Sequence, residues 1–107
     1  MTEFESRIEQ INEQYGLEID LGYVEEIYGE DMLQSMADMA EEVLENIDYL
    51  VELGFDEGVS DICNRFAPIL LEDNGYFREK VDRLIADLGH DAVEKLLEDM
   101  SPWEELL

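Results

Sequence analysis

Residues 36–53, MADMAEEVLENIDYLVEL, decide how the rest of the sequence is interpreted. Apolar side chains recur here every three or four residues, which is the period of an amphipathic α-helix. They are Met39, Ala40, Val43, Leu44, Ile47, Leu50 and Val51. The stretch therefore predicts one long helix over about residues 31–53, closed by Gly54 just beyond its end.

The opposite side of this predicted helix carries an acidic ridge, made of Asp38, Glu41, Glu45, Asp48 and Glu52. Their spacings of three and four residues place them on one line, roughly 20 Å long at 1.5 Å per residue. Like charges at these spacings cost a few tenths of a kcal/mol per pair, and the stretch contains no Lys or Arg. We interpret the acidic ridge, with Tyr49 at its edge, as a candidate partner-binding surface. A face kept acidic for solubility is the alternative.

Helical patterns continue on both sides of this stretch. Thr2 and Glu5 have capping-box spacing ahead of a first helix that ends at Tyr15-Gly16. Another helix begins near Asn74, and shorter ones lie between and after the long ones. No segment shows a convincing strand pattern. The sequence predicts an all-α fold over residues 1–107, a compact single-domain bundle of about five or six helices with long and short helices alternating.

Two segments share a faint repeat. Residues 53–71, LGFDEGVSDICNRFAPILL, and residues 88–107, LGHDAVEKLLEDMSPWEELL, each begin with Leu-Gly, continue into a short apolar helix and reach a Pro. The pattern loosely resembles the helical repeats of mitochondrial transcription termination factors. Those factors bind nucleic acid through basic surfaces, which this sequence lacks, so the resemblance implies paired helices and not that function.

The charge of the chain is extreme. Thirty acidic and six basic residues give a formal net charge of −24. Residues 8–64 carry −17 of this charge, because they contain seventeen acidic residues and no Lys or Arg. Direct binding to nucleic acid or to an anionic membrane needs a basic surface, so the composition argues against both. It favours a basic protein as the partner, in particular a nucleic-acid-binding enzyme or a nuclease. The oligomeric state stays open.

Targeting signals are not recognisable. The N-terminus, MTEFESRIEQ, lacks the basic and apolar regions of a signal peptide, and no apolar run has the length of a membrane span. The single cysteine excludes an intramolecular disulfide and is typical of a reducing compartment. We expect a cytoplasmic protein.

Catalytic and metal-binding patterns are also lacking, so we expect no enzyme activity and no cofactor. His90 is the one histidine and follows Gly89, where a surface or helix-capping role is expected. Cys63 lies on an apolar stripe and is expected to be a buried hydrophobe. The acidic segments do not match the spacing of a calcium-binding EF-hand loop, and no paired Cys/His zinc pattern occurs.

In size, charge and missing active site, the chain is similar to the small acidic inhibitors of phage and mobile elements. These are antirestriction proteins, anti-CRISPR proteins and other DNA mimics. The resemblance is one of class and implies a non-enzymatic inhibitor that occupies a basic, nucleic-acid-binding site. Two alternatives stay open: an immunity or antitoxin protein that neutralises a basic toxin or nuclease, and an acidic helical adaptor. Aromatic side chains are candidate interface anchors or core residues: Tyr15, Tyr23, Tyr28, Tyr49, Tyr76 and Trp103.

Overall fold

A computed structural model describes residues 2–107 of the chain. All of the regular structure in this range is helical. The α-helices are α1 (Glu3–Tyr15), α2 (Leu21–Tyr28), α3 (Glu30–Asp38), α4 (Ala40–Glu52), α5 (Gly58–Arg65), α6 (Asn74–Leu88) and α7 (Ala92–Glu98). Two 3₁₀ segments cover Ala67–Leu71 and Ser101–Leu106, and no strand occurs within residues 2–107. The all-α prediction is confirmed, whereas five or six helices is an undercount.

Several helix ends follow local signals in the sequence. The Thr2 hydroxyl oxygen accepts a hydrogen bond from the Glu5 backbone N–H at 3.1 Å, as expected of an N-cap. Gly16 follows α1 at φ 67°, and Gly54 follows the end of α4 at φ 90°. Left-handed φ values such as these favour glycine, so these glycines end the helices as predicted.

The prediction of one helix over residues 31–53 is wrong. Met39 has φ −110° and ψ 35°, and it separates α3 from α4. The Met39 N–H bonds to the Ser35 carbonyl in the last turn of α3, and the Val43 N–H bonds to the Met39 carbonyl in the first turn of α4, both at 3.0 Å. We attribute the bend to packing, because α3 lies against α2 whereas α4 lies against α6.

The two Leu-Gly segments occupy equivalent places in the fold. Leu53-Gly54 follows α4 and precedes α5 and a 3₁₀ segment. Leu88 is the last residue of α6, and Leu88-Gly89 precedes α7 and the other 3₁₀ segment. Pro68 and Pro102 lie at the start of their respective 3₁₀ segments. The faint sequence repeat therefore corresponds to the same order of elements, present twice.

One hydrophobic core joins all the helices, and its largest fully buried side chains include Trp103, Phe55 and Phe77. Trp103 packs edge-on against Phe55, with ring centroids 5.5 Å apart. The Cα radius of gyration, 13.1 Å, matches the value of about 13 Å for a compact domain of 100 residues. None of the helices described is long and apolar enough to cross a membrane.

Asn46 is a fully buried polar residue within this core. Its side-chain amide donates to the carbonyls of Leu70 and Glu72, both at 2.9 Å, and its oxygen accepts from the Asn74 amide at 3.0 Å. These bonds attach the first 3₁₀ segment and the start of α6 to α4. Buried polar groups with all their partners fix one arrangement of the elements around them.

Candidate functional site

The acidic ridge lies on the solvent side of α4. Glu41, Glu45, Asp48 and Glu52 are all exposed, at helical spacings of four, three and four residues. The opposite side of α4 is buried through Val43, Leu44, Ile47 and Leu50. Helix α4 therefore has one face in the core and one row of four carboxylates about 16 Å long in water.

The fifth residue of the predicted ridge belongs to a different helix. Asp38 is exposed but is the last residue of α3, before the bend at Met39. Its carboxylate accepts a hydrogen bond from the Gln34 amide at 3.0 Å. The continuous part of the ridge is consequently the four carboxylates of α4, with Asp38 placed across the bend.

Asp48 shows the effect of these neighbouring charges. Partial burial and the nearby Glu52 carboxylate raise the pKa of Asp48, whereas Arg7 on α1 lowers it in part. The net direction is upward, so the ionised form of Asp48 is disfavoured in the folded state. Negative charge on the ridge is therefore only partly compensated by α1.

Tyr49 faces α6 and not the middle of the ridge. Its hydroxyl donates a hydrogen bond to the Asp82 carboxylate, and the Arg78 guanidinium lies 4.6 Å from the centre of its ring. Burial, together with the hydrogen bond and the charge of Asp82, raises the pKa of Tyr49 to about 12. Tyr49 is thus held between α4 and α6 at the edge of the ridge.

The two lysines are engaged within the protein. Lys80 Nζ lies 2.8 Å from the Glu72 carboxylate. Lys95 Nζ donates at 2.8 Å to the carbonyl of Leu88 near the end of α6, where a positive charge stabilises the helix dipole. Neither lysine compensates the ridge.

Three of the four arginines also have partners nearby. Arg83 forms an ion pair with Glu79 at 3.2 Å, and Arg78 stacks on Tyr49. Arg65 has its guanidinium carbon 5.3 Å from the centre of the Phe66 ring. Within residues 2–107, ion pairs form only at Glu72 and Glu79. The carboxylates of α1 to α5 have no ion-pair partner in that range.

The candidate aromatic anchors differ in exposure. Trp103 is fully buried and belongs to the core, and Tyr28 is half-buried with its hydroxyl donating to the Arg65 carbonyl. The remaining exposed aromatic side chains are Tyr15, Tyr23 and Tyr76. Of the candidates, these three are the most exposed to solvent.

The described residues were compared with the requirements for metal binding and for nucleophilic catalysis. No group of three or more His, Cys, Asp or Glu side chains within residues 2–107 is arranged to hold a metal ion. Burial raises the pKa of Cys63 to about 12, so its thiol stays protonated at neutral pH and is a poor nucleophile. His90 is exposed beside Gly89.

No protein-family model, curated protein or solved structure matches this chain.

Proposed function

We propose that this chain is a non-enzymatic inhibitor that presents its acidic surface to a basic, nucleic-acid-binding site on a partner protein. The observation that supports it best is the row of exposed carboxylates Glu41, Glu45, Asp48 and Glu52, which lacks ion-pair partners within residues 2–107. This row costs stability through like-charge repulsion. A cost of this kind is expected where the charge itself is used.

The spacing of the row is compatible with imitation of a nucleic acid. At helical rise, the four carboxylates carry one charge per about 5.5 Å, compared with one per 3.4 Å along a single DNA strand. The ridge is therefore sparser than a strand of phosphates, and the other acids of residues 8–64 add to its field. Basic grooves attract such a surface by the electrostatics that attract nucleic acid.

Charge reversal on the ridge tests this function. The quadruple variant Glu41→Lys, Glu45→Lys, Asp48→Lys and Glu52→Lys leaves the buried side of α4 unchanged. The control, Asp87→Lys, Glu94→Lys, Glu98→Lys and Glu105→Lys, makes the same change in net charge at exposed positions of α6, α7 and the last 3₁₀ segment. Both should retain a helical far-UV circular dichroism spectrum.

Proteins that the wild-type chain captures from a host lysate are purified, and their binding to the wild-type chain, the ridge variant and the control is then measured. We expect the ridge variant to lose binding, duplex DNA or RNA to compete with the wild-type chain, and the association rate to fall steeply with salt. A ridge variant that folds and binds with native affinity, without competition from nucleic acid, would overturn the proposal.

A further inference from the structure

A concave surface lies between α1, α2 and α5, on a different side of α1 from the ridge. This groove has a volume of about 790 Å³. Its floor includes Ile8 and Ile19, and its rim includes the carboxylates of Glu9, Glu18 and Asp61. It therefore combines apolar surface at depth with negative charge at the edge.

The ridge and the groove are separated by α1 itself. Arg7 influences Asp48 of the ridge, whereas Ile8, Glu9 and Asn12 line the groove. At 100° per residue, Arg7 points about 150° away from the mean direction of the groove-lining positions of α1. A partner contacting one surface need not cover the other.

Side-chain hydrogen bonds hold the connection between α1 and α2 that forms one wall of this groove. The Asn12 amide donates to the Ile19 carbonyl and accepts from the Ile19 N–H, both at 3.0 Å. From α5, Asn64 accepts from the Asp20 N–H at 2.8 Å and donates to the Glu18 carbonyl at 3.1 Å. A wall bound from both sides is pre-organised, which lowers the entropic cost of binding a ligand.

The residues that line the groove carry five carboxylates and one guanidinium. Glu9, Glu18 and Asp61 form no ion pair within residues 2–107. Arg65 also lines the groove, but its guanidinium turns towards Met100, with Nη1 3.7 Å from the sulfur. The rim is therefore complementary to a cation supplied from outside.

Exposed apolar side chains adjoin the groove on α2. Tyr23, which lines it, is 41% exposed, and Ile27 is 50% exposed one helical turn further on. Residues four positions apart share a helix face, so this pair extends the apolar surface beyond the groove. A second copy of this chain is a poor occupant, because each copy carries −24 and like charges oppose association.

We propose that this groove docks a cationic amphipathic peptide segment of the partner protein. Its Lys or Arg side chains pair with Glu9, Glu18 and Asp61, and its apolar side chains pack on Tyr23 and Ile27. This inference rests on the proposed function in taking the partner to be a basic protein, and adds a contact that depends on shape and apolar area as well as charge.

Three synthetic peptides of equal length test the groove without the natural partner. The first is a helical peptide with Lys and Arg on one face and Leu on the other. The second keeps the charges and replaces Leu by Ser, and the third keeps Leu and replaces the charges by Gln. Binding is measured by calorimetry at physiological salt, and the contact surface is mapped by amide chemical-shift changes in NMR spectra.

We expect only the first peptide to bind well, with shift changes centred on Ile8, Ile19 and Tyr23. The pair Glu9→Lys and Glu18→Lys should weaken its binding about tenfold or more, because it reverses two charges in direct contact with the peptide. The pair Asp87→Lys and Glu98→Lys changes net charge equally outside the groove, and should weaken binding less than about threefold through the long-range field alone. Tyr23→Ser with Ile27→Ser should reduce binding of the first peptide and leave the second unchanged.

Equal binding of the first and second peptides, or equal losses in the groove and control pairs, would show non-specific attraction to a polyanion and overturn the inference. This outcome is separable from failure of the proposed function. If the ridge variant loses the natural partner while no peptide binds the groove, only the groove inference falls. If the first peptide maps to the groove while the ridge variant keeps native partner affinity, the ridge proposal falls and the groove inference stands.

Discussion

The Tyr49 hydroxyl on α4 donates a hydrogen bond to the Asp82 carboxylate on α6. This bond joins the helix that carries the acidic ridge to the helix that holds three of the six basic residues, Arg78, Lys80 and Arg83. It therefore ties the ridge to a part of the protein where charges are locally balanced.

Replacing Tyr49 by Phe should lower the free energy of unfolding by about 1 kcal/mol, the usual net contribution of one hydrogen bond. Tyr76→Phe is a matched control, because Tyr76 is exposed and no hydrogen bond of its hydroxyl is observed within residues 2–107. Urea denaturation at pH 7 measures both. Unchanged stability in Tyr49→Phe, together with weaker partner binding, would instead assign Tyr49 to the interface.

The raised pKa of Tyr49 also predicts how the stability of the fold changes at alkaline pH. The folded pKa of Tyr49, about 12, lies above the ordinary value of 10.0. The stability associated with its protonated form is fully present below pH 10 and is lost as the pH rises through 12. Between these values, wild-type protein should lose stability more steeply than Tyr49→Phe. Parallel pH curves for the two proteins would contradict this assignment.

Asn46 is expected to matter more for stability than any exposed amide. Asn46→Ala leaves two carbonyls and the Asn74 amide without their partner, which costs about 1–3 kcal/mol. Each kcal/mol lowers the melting temperature of a domain this size by roughly 4–8 °C. Gln10→Ala, at an exposed position of α1, should change it little. Similar melting temperatures for the two variants would mean that water replaces the lost bonds.

Asp48 should destabilise the fold at neutral pH. Its folded pKa is raised, so its favourable contribution is complete below the unfolded value of 3.8 and is lost as the pH rises through the folded pKa. Asp48→Asn should therefore be more stable than wild type at pH 7 by a few tenths of a kcal/mol. The difference should vanish well below pH 3.8, where Asp48 is neutral in both the folded and the unfolded protein. Asp87→Asn serves as the control, and an equal gain in it would argue against a local effect.

Moderate salt should stabilise the whole fold. Raising ionic strength from 0.01 M to 0.1 M shortens the Debye length from about 30 Å to about 10 Å, which screens repulsion among the excess carboxylates. The melting temperature should rise across this range, measured at constant pH by circular dichroism. A constant or falling melting temperature would mean that the charges repel one another less than their number suggests.

Sequence signals were sufficient where one residue determines the local structure. Thr2, Gly16 and Gly54 act through their own hydrogen bond or backbone conformation, so the corresponding helix ends were predictable. The bend at Met39 was not, because no Gly or Pro marks it and its cause is the packing of α3 and α4 against different helices. Boundaries set by tertiary contacts leave no local trace.

The two candidate surfaces also differ in how far the sequence alone predicts them. The four carboxylates of the α4 ridge lie on one helix, so their spacing alone placed them together. The groove depends on Asn12 of α1 and on Ser60 and Asn64 of α5, which bind the backbone of residues 18–20. Asn46 did leave a signal, since an amide on the apolar stripe of α4 needs buried partners.

The engagement of Lys80 and Lys95 also determines how the partner can be captured chemically. They are the only lysines in the sequence, against thirty carboxylates, and each is already held by a neighbouring group. Carbodiimide coupling joins a carboxylate to an amine in direct contact. Apart from an internal amide bond between Glu72 and Lys80, which already lie 2.8 Å apart, activated carboxylates on this protein would form amide bonds with lysines of whatever basic protein lies against them. The position of each cross-link would then distinguish the ridge from the groove.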